Sequence, residues 1–471
     1  MKENRAELRQ EIDKWFERHS GEMVGDLGRL IAVNSVRGAE EPGAPYGAGP
    51  RAVMNIAQSM LEERGFDVEN FEDIIITADM GQGPAKLGIL AHLDIVDAGS
   101  GWDSDPFTLT ARDGKLYGRG TSDDKGPAIA AMYAMYCACD LCPELGGFRL
   151  ILGTGEESGC EDIAQYLEKN EPPTYVFTPD SDFPLVNIEK GRFLPDFGAK
   201  WAEDTALPRV LSVTGGHPVN TVPERSEAVV EGFAAHELEP FCRDYSAKTG
   251  ASISAAQDGG RVIVTSTGKA AHAATPQNGV NALTALIAML ATMPFAASAG
   301  FERVKSLGRL FPHGDMHGQA LGINMSDDAT GELTVNFSMI DLNATGFSGK
   351  FDSRTPACAD EVDLLGMTRE ALGGGGIDLT GSTMSKCHHT PEDSPFVRTL
   401  LDIYVEYTGD AGKCLSIGGS TYVHEIPGGV AFGCEFPGVD SKVHGANEFI
   451  AERELILSAK MFTQAILDIL G

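Results

Sequence analysis

Short apolar runs alternate with helical segments over the first 180 residues, and this alternation constrains the fold more than any other feature. The runs are four or five residues long, a length that is typical of buried strands. The predicted strands span residues 74–77, 87–91, 148–152 and 175–178, and the predicted helices span residues 49–64, 126–139 and 160–169. Strands that alternate with helices predict an α/β fold, with flanking helices on a mixed, largely parallel sheet.

The pattern changes after Gly191 and returns near residue 385. Between these points the segments are short and β-like, at 209–214, 227–233, 261–266 and 333–342, with one helical stretch at 280–293. Beyond them, α/β character returns with a helix at 396–407, a strand at 429–432 and a closing helix at 455–470. We therefore predict a discontinuous metal-binding catalytic domain, residues 1–191 plus 385–471, and an inserted α+β lid domain, residues 192–384.

The charge balance excludes two classes of partner. Asp and Glu outnumber Lys and Arg by 68 to 37, which gives a formal net charge of −31. Such a surface repels nucleic-acid phosphates and anionic lipids, so we expect neither nucleic acid nor membrane as a partner. The charged N-terminus lacks an apolar signal region, and nine irregularly spaced cysteines favour a reducing compartment. We expect a cytoplasmic protein.

Acidic residues and histidines follow the predicted strands at several points. These candidates are His92 and Asp94, Asp123 and Asp124, Glu156 and Glu157, Asp180, and His444 near the C-terminus. In open α/β sheets, ligands bind outside the carboxyl ends of the strands. Three of the clusters lie at predicted strand ends, so we expect them to converge on one site.

The residue types in these clusters match a pair of divalent metal ions. Two ions about 3.5–4 Å apart require carboxylate and imidazole ligands, and one carboxylate must bridge them. A further carboxylate must stay off the metals to act as a general base, and adjacent glutamates can divide these two roles. A His, Asp and Glu set without thiolate suits two zinc ions, with manganese or cobalt as possible replacements.

At this point the sequence resembles a known family. Its motifs Ala-His-Leu-Asp-Ile-Val, Gly-Arg-Gly-Thr-Ser-Asp-Asp-Lys-Gly-Pro and Gly-Thr-Gly-Glu-Glu-Ser-Gly are similar to those of the co-catalytic zinc metallopeptidases. That family includes acetylornithine deacetylase, succinyl-diaminopimelate desuccinylase, carnosinase and dipeptidase V. The stretches 178–184, 268–273 and 429–433 resemble the dipeptidase V branch best. The resemblance covers almost the whole chain.

The resemblance implies a role for each candidate. His92 and Asp180 would bind one metal, Glu157 and His444 would bind the other, and Asp123 would bridge both. Asp94 would orient His92, and a hydroxide between the metals would attack the scissile amide with Glu156 as general base. Relatives have a cis peptide between Asp123 and Asp124. The chain departs from the family pattern at Asp97 and Gly155, which affects the expected loop geometry but no ligand position.

The resemblance also implies substrate-binding residues. His272, in Gly-Lys-Ala-Ala-His-Ala, matches a histidine that donates to the developing oxyanion, and Asn220 matches an asparagine that contacts substrate. Arg354 matches an arginine that binds a substrate carboxylate through its planar fork. Gly418, Gly419 and Ser420 offer backbone N–H groups to the same carboxylate or form a simple tight turn.

These residues predict an amide hydrolase that acts on dipeptides or short peptides with a free C-terminal carboxylate. The alternatives are a deacylase or aminoacylase acting on N-acyl amino acids, and a metal-bound peptide-binding protein without turnover. The glutamate pair and the metal ligands are all present, which argues against lost turnover. The long lid can supply His272 within one chain, so we expect a monomer.

Overall fold

A computed structural model describes residues 2–81 and 83–471, with side chains from Arg5 onward. Within these residues the helices are α1 (Lys2–Ile31), α2 (Ala48–Glu63), α3 (Lys125–Leu141), α4 (Glu161–Leu167), α5 (Ala235–Thr249), α6 (Ala282–Leu290), α7 (Ala299–Leu310), α8 (Leu364–Gly374), α9 (Pro395–Thr408) and α10 (Glu452–Leu470). None of them combines the length and apolar composition that crossing a membrane requires.

The strands divide between two compact units, Met1–Glu189 with His388–Gly471, and Lys190–Cys387. In the first unit they are β1 (Val68–Phe71), β2 (Ile75–Met80), β3 (Leu87–His92), β4 (Thr110–Arg112), β5 (Lys115–Tyr117), β6 (Phe148–Gly153), β7 (Tyr175–Thr178), β8 (Ser181–Asp182), β9 (Leu185–Glu189), β20 (His388–His389), β21 (Cys414–Ile417), β22 (Val430–Ala431), β23 (Cys434–Glu435) and β24 (Phe449–Ala451). In the second unit they are β10 (Gly191–Lys200), β11 (Arg209–Gly215), β12 (Arg225–Glu231), β13 (Ser252–Asp258), β14 (Arg261–Thr267), β15 (Ser326–Asp327), β16 (Gly331–Glu332), β17 (Thr334–Asn343), β18 (Gly346–Thr355) and β19 (Asp378–Ser385).

The first unit is built on a mixed nine-stranded sheet in the order β1-β2-β6-β3-β7-β22-β9-β20, with β21 paired to β9. The pairs β3–β6, β3–β7, β22–β7 and β21–β9 are parallel. Helix α3 is apolar on all sides and is buried from Lys125 to Ala138, so it packs as a core helix against the sheet and α10. In α10 the residues Leu455, Ala459, Phe462 and Ile466 form the buried stripe that the helical spacing predicts.

The second unit is built on an antiparallel eight-stranded sheet in the order β13-β14-β12-β11-β17-β18-β10-β19. Strand β12 alternates buried and partly exposed residues, which is typical of a sheet with one covered face. Helices α5 to α8 belong to this unit, and their apolar residues share one core with the sheet. This mixture of an antiparallel sheet and helices is an α+β arrangement.

Candidate metal centre

Three parallel strands bring separate motifs to one edge of the first sheet. Strand β3 ends at His92, β6 leads into Glu156 and Glu157, and β7 leads into Asp180. Because β3 pairs in parallel with both β6 and β7, the carboxyl ends of the three strands lie side by side. The expected convergence of these clusters at strand ends is therefore seen in the structure.

Asp123 reaches the same place from the loop before α3. The Asp123–Asp124 peptide bond is cis, and the Asp124 carboxylate accepts the backbone N–H of His92 at 2.9 Å. The following glycine is required by close packing, because a Cβ at Gly126 would lie 2.0 Å from the carbonyl oxygen of Thr121. The Asp-Asp-Lys-Gly motif therefore places the start of α3 directly beside His92.

The two carboxylate oxygens of Asp123 face different histidines. Its Oδ1 lies 3.0 Å from Nε2 of His92, and its Oδ2 lies 2.9 Å from Nε2 of His444. His92 Nε2 is also 3.6 Å from Asp180, and His444 Nε2 is 3.2 Å from Glu157. Asp123 therefore lies between two imidazole–carboxylate pairs, which is the position that a bridging ligand occupies.

Both members of the glutamate pair lie at this cluster. One oxygen of Glu157 forms a group with ligand atoms of His92 and Asp123, and one oxygen of Glu156 forms a group with His92 and Asp180. Within each group the atoms lie within 4.8 Å of one another. The geometry does not separate a ligand glutamate from an uncoordinated one, so the division of roles stays a prediction.

The turn that carries the glutamate pair is held by Asp162 and Tyr422, which lie outside the sequence motifs. Asp162 accepts the backbone N–H groups of Thr154 and Gly155, each at 2.8 Å, and the hydroxyl of Tyr422 at 2.5 Å. A Cβ at Gly153 would lie 2.2 Å from that hydroxyl, so glycine is needed there. The sequence signal for Asp162 is weak, since an acidic residue in the first turn of a helix is common.

Charge is concentrated and poorly solvated at the cluster. Burial raises the pKa of Glu156 well above its usual value, and it raises the pKa of Asp180 to about 7. Burial also opposes ionisation of Asp123, but the neighbouring imidazoles of His444 and His92 outweigh it and lower the pKa of Asp123. Hydrogen bonds with Asp123 and Glu157 raise the pKa of His444 to about 11. Buried carboxylates in excess over imidazoles favour the binding of cations.

One further observation indicates that these residues suit a pair of metal ions. Nε2 of His92 is fully buried and forms no hydrogen bond, although carboxylate oxygens lie around it. A buried polar atom without a hydrogen bond is costly, and a metal ion would satisfy it. The donors are imidazole nitrogens and carboxylate oxygens without a thiolate, as hydrolytic divalent ions prefer.

The predicted lid residues lie in the unit Lys190–Cys387, and two of them are neighbours. The backbone carbonyl of Asn220 accepts the N–H of Ala273, and Thr221 forms a β-bridge with His272. The His272 side chain is exposed, and its Nδ1 accepts the N–H of Ala274 at 3.2 Å. The loops that carry Asn220 and His272 are thus paired through their backbones.

Arg354 lies near the end of β18 and is buried. Its Nε and Nη2 donate to Asp352 at 2.8 and 3.1 Å, and Arg192 donates to the same carboxylate at 3.2 Å. Arg192 and Arg354 are directly opposed on β10 and β18. The Asp352 carboxylate therefore accepts hydrogen bonds from two guanidinium groups.

The predicted turn Gly418, Gly419 and Ser420 lies in the same unit as the metal cluster, directly after β21. The next residue, Thr421, donates its hydroxyl and its N–H to the buried carboxylate of Glu189, at 2.6 and 3.2 Å. The turn is therefore anchored at its end by a residue in the core. Its predicted role toward a substrate carboxylate stays a prediction.

The fold and the matching family define the chain as a metallopeptidase. It belongs to peptidase family M20/M25/M40, whose family model matches residues 88–468. This membership confirms the predicted family resemblance and the predicted class of enzyme.

Two relatives match along almost the whole chain. The Beta-Ala-Xaa dipeptidase of Lactobacillus delbrueckii subsp. lactis is 32% identical over 461 residues, which cover 95% of this chain and 96% of the relative. The YtjP protein of Bacillus subtilis (strain 168) is 33% identical over 459 residues, which cover 96% of this chain and 98% of that protein. The similarity therefore extends over both units.

Solved structures show the same fold. Human carnosine dipeptidase 1 matches with a TM-score of 0.57 and 17% identity, over 98% of this chain and 99% of that one. The M20 family metallo-carboxypeptidase Sso-CP2 from Sulfolobus solfataricus matches with a TM-score of 0.58 and 16% identity, over 94% and 98% of the two chains. The predicted fold class, an α/β domain with an inserted α+β domain, is confirmed.

Proposed function

We propose that this chain is a di-metal dipeptidase that hydrolyses dipeptides or short peptides with a free C-terminal carboxylate. The observation that carries the proposal is the position of Asp123, whose two oxygens lie 3.0 and 2.9 Å from the imidazoles of His92 and His444. The 32% identity to a Beta-Ala-Xaa dipeptidase supports a dipeptide substrate.

Each metal would be held by one histidine and one acidic residue of its own. His92 and Asp180 would bind the first ion, Glu157 and His444 the second, and Asp123 both. Zinc is the proposed ion, with manganese or cobalt as substitutes. Bound ions of this kind supply an acidified water and a Lewis acid for the scissile carbonyl.

Glu156 would move the proton in the reaction. Its carboxylate takes a proton from the attacking water and returns it to the nitrogen of the leaving amine. Both transfers require the carboxylate to lie beside the reacting atoms, and an oxygen of Glu156 lies within 4.8 Å of ligand atoms of His92 and Asp180. Asp94 would hold the ring of His92 in position from its Nδ1 side, where its Oδ1 lies at 3.4 Å.

The unit Lys190–Cys387 would act as the lid and provide substrate contacts. His272 donates a hydrogen bond to the oxyanion as it forms, and Asn220 contacts the substrate. Arg354 binds the C-terminal carboxylate, together with the turn Gly418 to Ser420, and this contact limits the length of the substrate. An Arg fork matches a carboxylate bidentately, and the two guanidinium groups that already bind the Asp352 carboxylate support a role in anion recognition.

We further propose that the protein is a cytoplasmic monomer, because its own lid carries His272. A solution mass of about 50.0 kDa is expected from sedimentation, and a mass of twice that value would contradict the monomer.

The decisive experiment is a substrate panel measured with and without a chelator, followed by addition of zinc, manganese or cobalt. Ala-Ala and a β-alanyl dipeptide should be hydrolysed, and N-acetyl amino acids should not. Chelation should abolish turnover, and added metal should restore it. Preferential hydrolysis of N-acetyl amino acids would identify a deacylase instead. Hydrolysis that survives complete metal removal would contradict the metal mechanism.

A further inference from the structure

A fully buried glutamate, Glu448, accepts hydrogen bonds from the backbone that carries Asp123. Its Oε1 accepts the N–H groups of Ser122 at 2.8 Å and Asp123 at 3.2 Å. Both of its oxygens lie 3.1 Å from the N–H of Gly120. One carboxylate therefore accepts three backbone N–H groups of the loop before α3.

The same carboxylate is connected to the loop that carries His444. Arg119, which is also buried, donates Nη1 to Glu448 at 2.5 Å and Nη2 to the carbonyl oxygen of Gly445 at 3.1 Å. Gly445 directly follows His444, and Glu448 is four residues beyond it. Arg119 and Glu448 thus form a brace, which we call the Arg119–Glu448 brace, between the Asp123 loop and the His444 loop.

Stability alone does not account for a brace of this kind. Removing two charges from water costs several kcal/mol per ion, and well-packed apolar residues in their place are often neutral or stabilising, by about 1–4 kcal/mol. A buried ion pair that adds little stability still fixes geometry through the hydrogen bonds that its groups make. Here those hydrogen bonds fall on the backbone of Asp123 and on the residue next to His444.

We propose that Glu448 is a positioning residue, which sets the distance between Asp123 and His444 and thereby the affinity for the metal ion that they share. The inference rests on the proposed metal function, because Asp123 and His444 are its proposed ligands. Groups that orient metal ligands from behind typically change metal affinity by about 10–100-fold when they are replaced. Glu448 has this position for two ligands that are far apart in sequence.

The test is Glu448→Gln in the full-length protein. Glutamine keeps the size of the side chain but replaces one acceptor oxygen by a donor, which cannot accept from the loop or from Arg119. Chelator-treated wild type and variant are titrated with zinc by calorimetry, and with cobalt by visible absorption. We expect one of the two ions to bind about 10–100-fold more weakly in the variant, with an altered cobalt spectrum. At saturating metal, kcat should recover toward the wild-type value.

Asp327→Asn is the matched control. Asp327 also organises a loop by accepting backbone N–H groups, from Ala329, Thr330 and Cys358. It belongs to the unit Lys190–Cys387, whereas the proposed metal ligands belong to the first unit. This variant should lower the melting temperature and leave zinc affinity and the cobalt spectrum unchanged.

A second variant covers the case in which Glu448→Gln does not fold. Arg119→Lys keeps the positive charge but replaces the rigid pair of guanidinium nitrogens by one flexible ammonium group. It should therefore hold Glu448 and Gly445 less rigidly and also weaken one metal site. If a folded variant shows wild-type zinc affinity and cobalt spectrum while its melting temperature falls, the positioning role is wrong. Because the affinity comparison uses no substrate, it decides this inference even if the wild type binds metal and hydrolyses no dipeptide.

Discussion

The carboxylate of Asp94 accepts the backbone N–H of Glu157 at 3.1 Å, and it also accepts the N–H of Glu156 at 3.3 Å. Its Oδ1 lies 3.4 Å from Nδ1 of His92, whose ring nitrogen is 3.1 Å from the Asp94 carbonyl oxygen. One buried side chain therefore contacts both the histidine at the end of β3 and the turn after β6. It couples the orientation of the imidazole to the position of the glutamate pair.

Replacing Asp94 by Ala should weaken metal binding without removing any proposed ligand. The His92 ring would lose a partner at Nδ1, and the turn of the glutamate pair would lose two acceptors. We expect zinc affinity to fall by about 10–100-fold, as measured by calorimetry on chelator-treated protein. Asp97→Asn, three residues away in an exposed loop, is the control and should bind zinc normally. Unchanged affinity in Asp94→Ala would show that His92 is oriented by other groups.

Glu156→Gln should keep both metals and lose turnover. The amide occupies the same space as the carboxylate but cannot take up a proton, and general-base catalysis is typically worth about 100–10,000-fold in rate. Metal content measured beside dipeptide hydrolysis separates binding from chemistry. Glu157→Gln should instead lose one metal. If the metal loss occurs in Glu156→Gln, the roles of the two glutamates must be exchanged.

Much of the first unit could be predicted from sequence because local pattern and burial agree there. Strand β3 is an apolar run that ends at His92, β6 is apolar except at Arg149, and α10 carries its apolar residues at helical spacing. Residues 2–31 form α1, although no clear helical pattern marks them in the sequence. Its charged residues interrupt the apolar stripe of Trp15, Phe16, Met23 and Leu27, which is buried only after folding. Helix α5 was also missed, since Pro240 inside it is a helix-breaking signal.

Some residues of the proposed site could likewise be predicted from the sequence, and others could not. His92 and Glu157 could be singled out because they follow predicted strands, and Asp123 because it lies in a glycine-containing loop that enters a helix. Glu448 could not, because a carboxylate that accepts backbone N–H groups leaves no periodic or spacing signal in the sequence. The pairing of Arg192 with Arg354 could not be derived either, since it depends on the register between β10 and β18. Contacts set by tertiary packing have no local sequence pattern.

His313 should make the unit Lys190–Cys387 less stable at acid pH. Burial lowers the pKa of His313, whose Nε2 donates to the carbonyl oxygen of Thr249 at 3.0 Å while Nδ1 lies 2.9 Å from the Thr284 hydroxyl. Above pH 6.5 the histidine is neutral in both the folded and unfolded states. Below pH 6.5 the unfolded chain takes up the proton first, so the free energy of unfolding decreases.

The measurement is urea unfolding of wild type and His313→Gln between about pH 5 and pH 8. This range lies on both sides of the ordinary histidine pKa of about 6.5. The wild type should lose stability relative to the variant as the pH falls, and the difference should be constant above pH 7. A difference that does not change with pH would mean that His313 titrates equally in both states. His317, which also lies in this unit and whose side chain is 37% exposed, is the control substitution.

Arg354→Lys should separate carboxylate recognition from stability. Removing Arg354 entirely would leave the buried Asp352 with Arg192 alone, and breaking a buried pair costs about 3–5 kcal/mol. Lysine keeps a charge beside Asp352 but loses the planar fork. We expect the KM for a free dipeptide to rise by about tenfold or more, with little change for its C-terminally amidated analogue. The variant Asp352→Asn measures how much disturbing the Arg354–Asp352 pair alone lowers the melting temperature. Melting temperatures are therefore compared for the wild type, Arg354→Lys and Asp352→Asn. Equal effects on the free and amidated peptides would show that Arg354 supports the sheet and does not bind the substrate carboxylate.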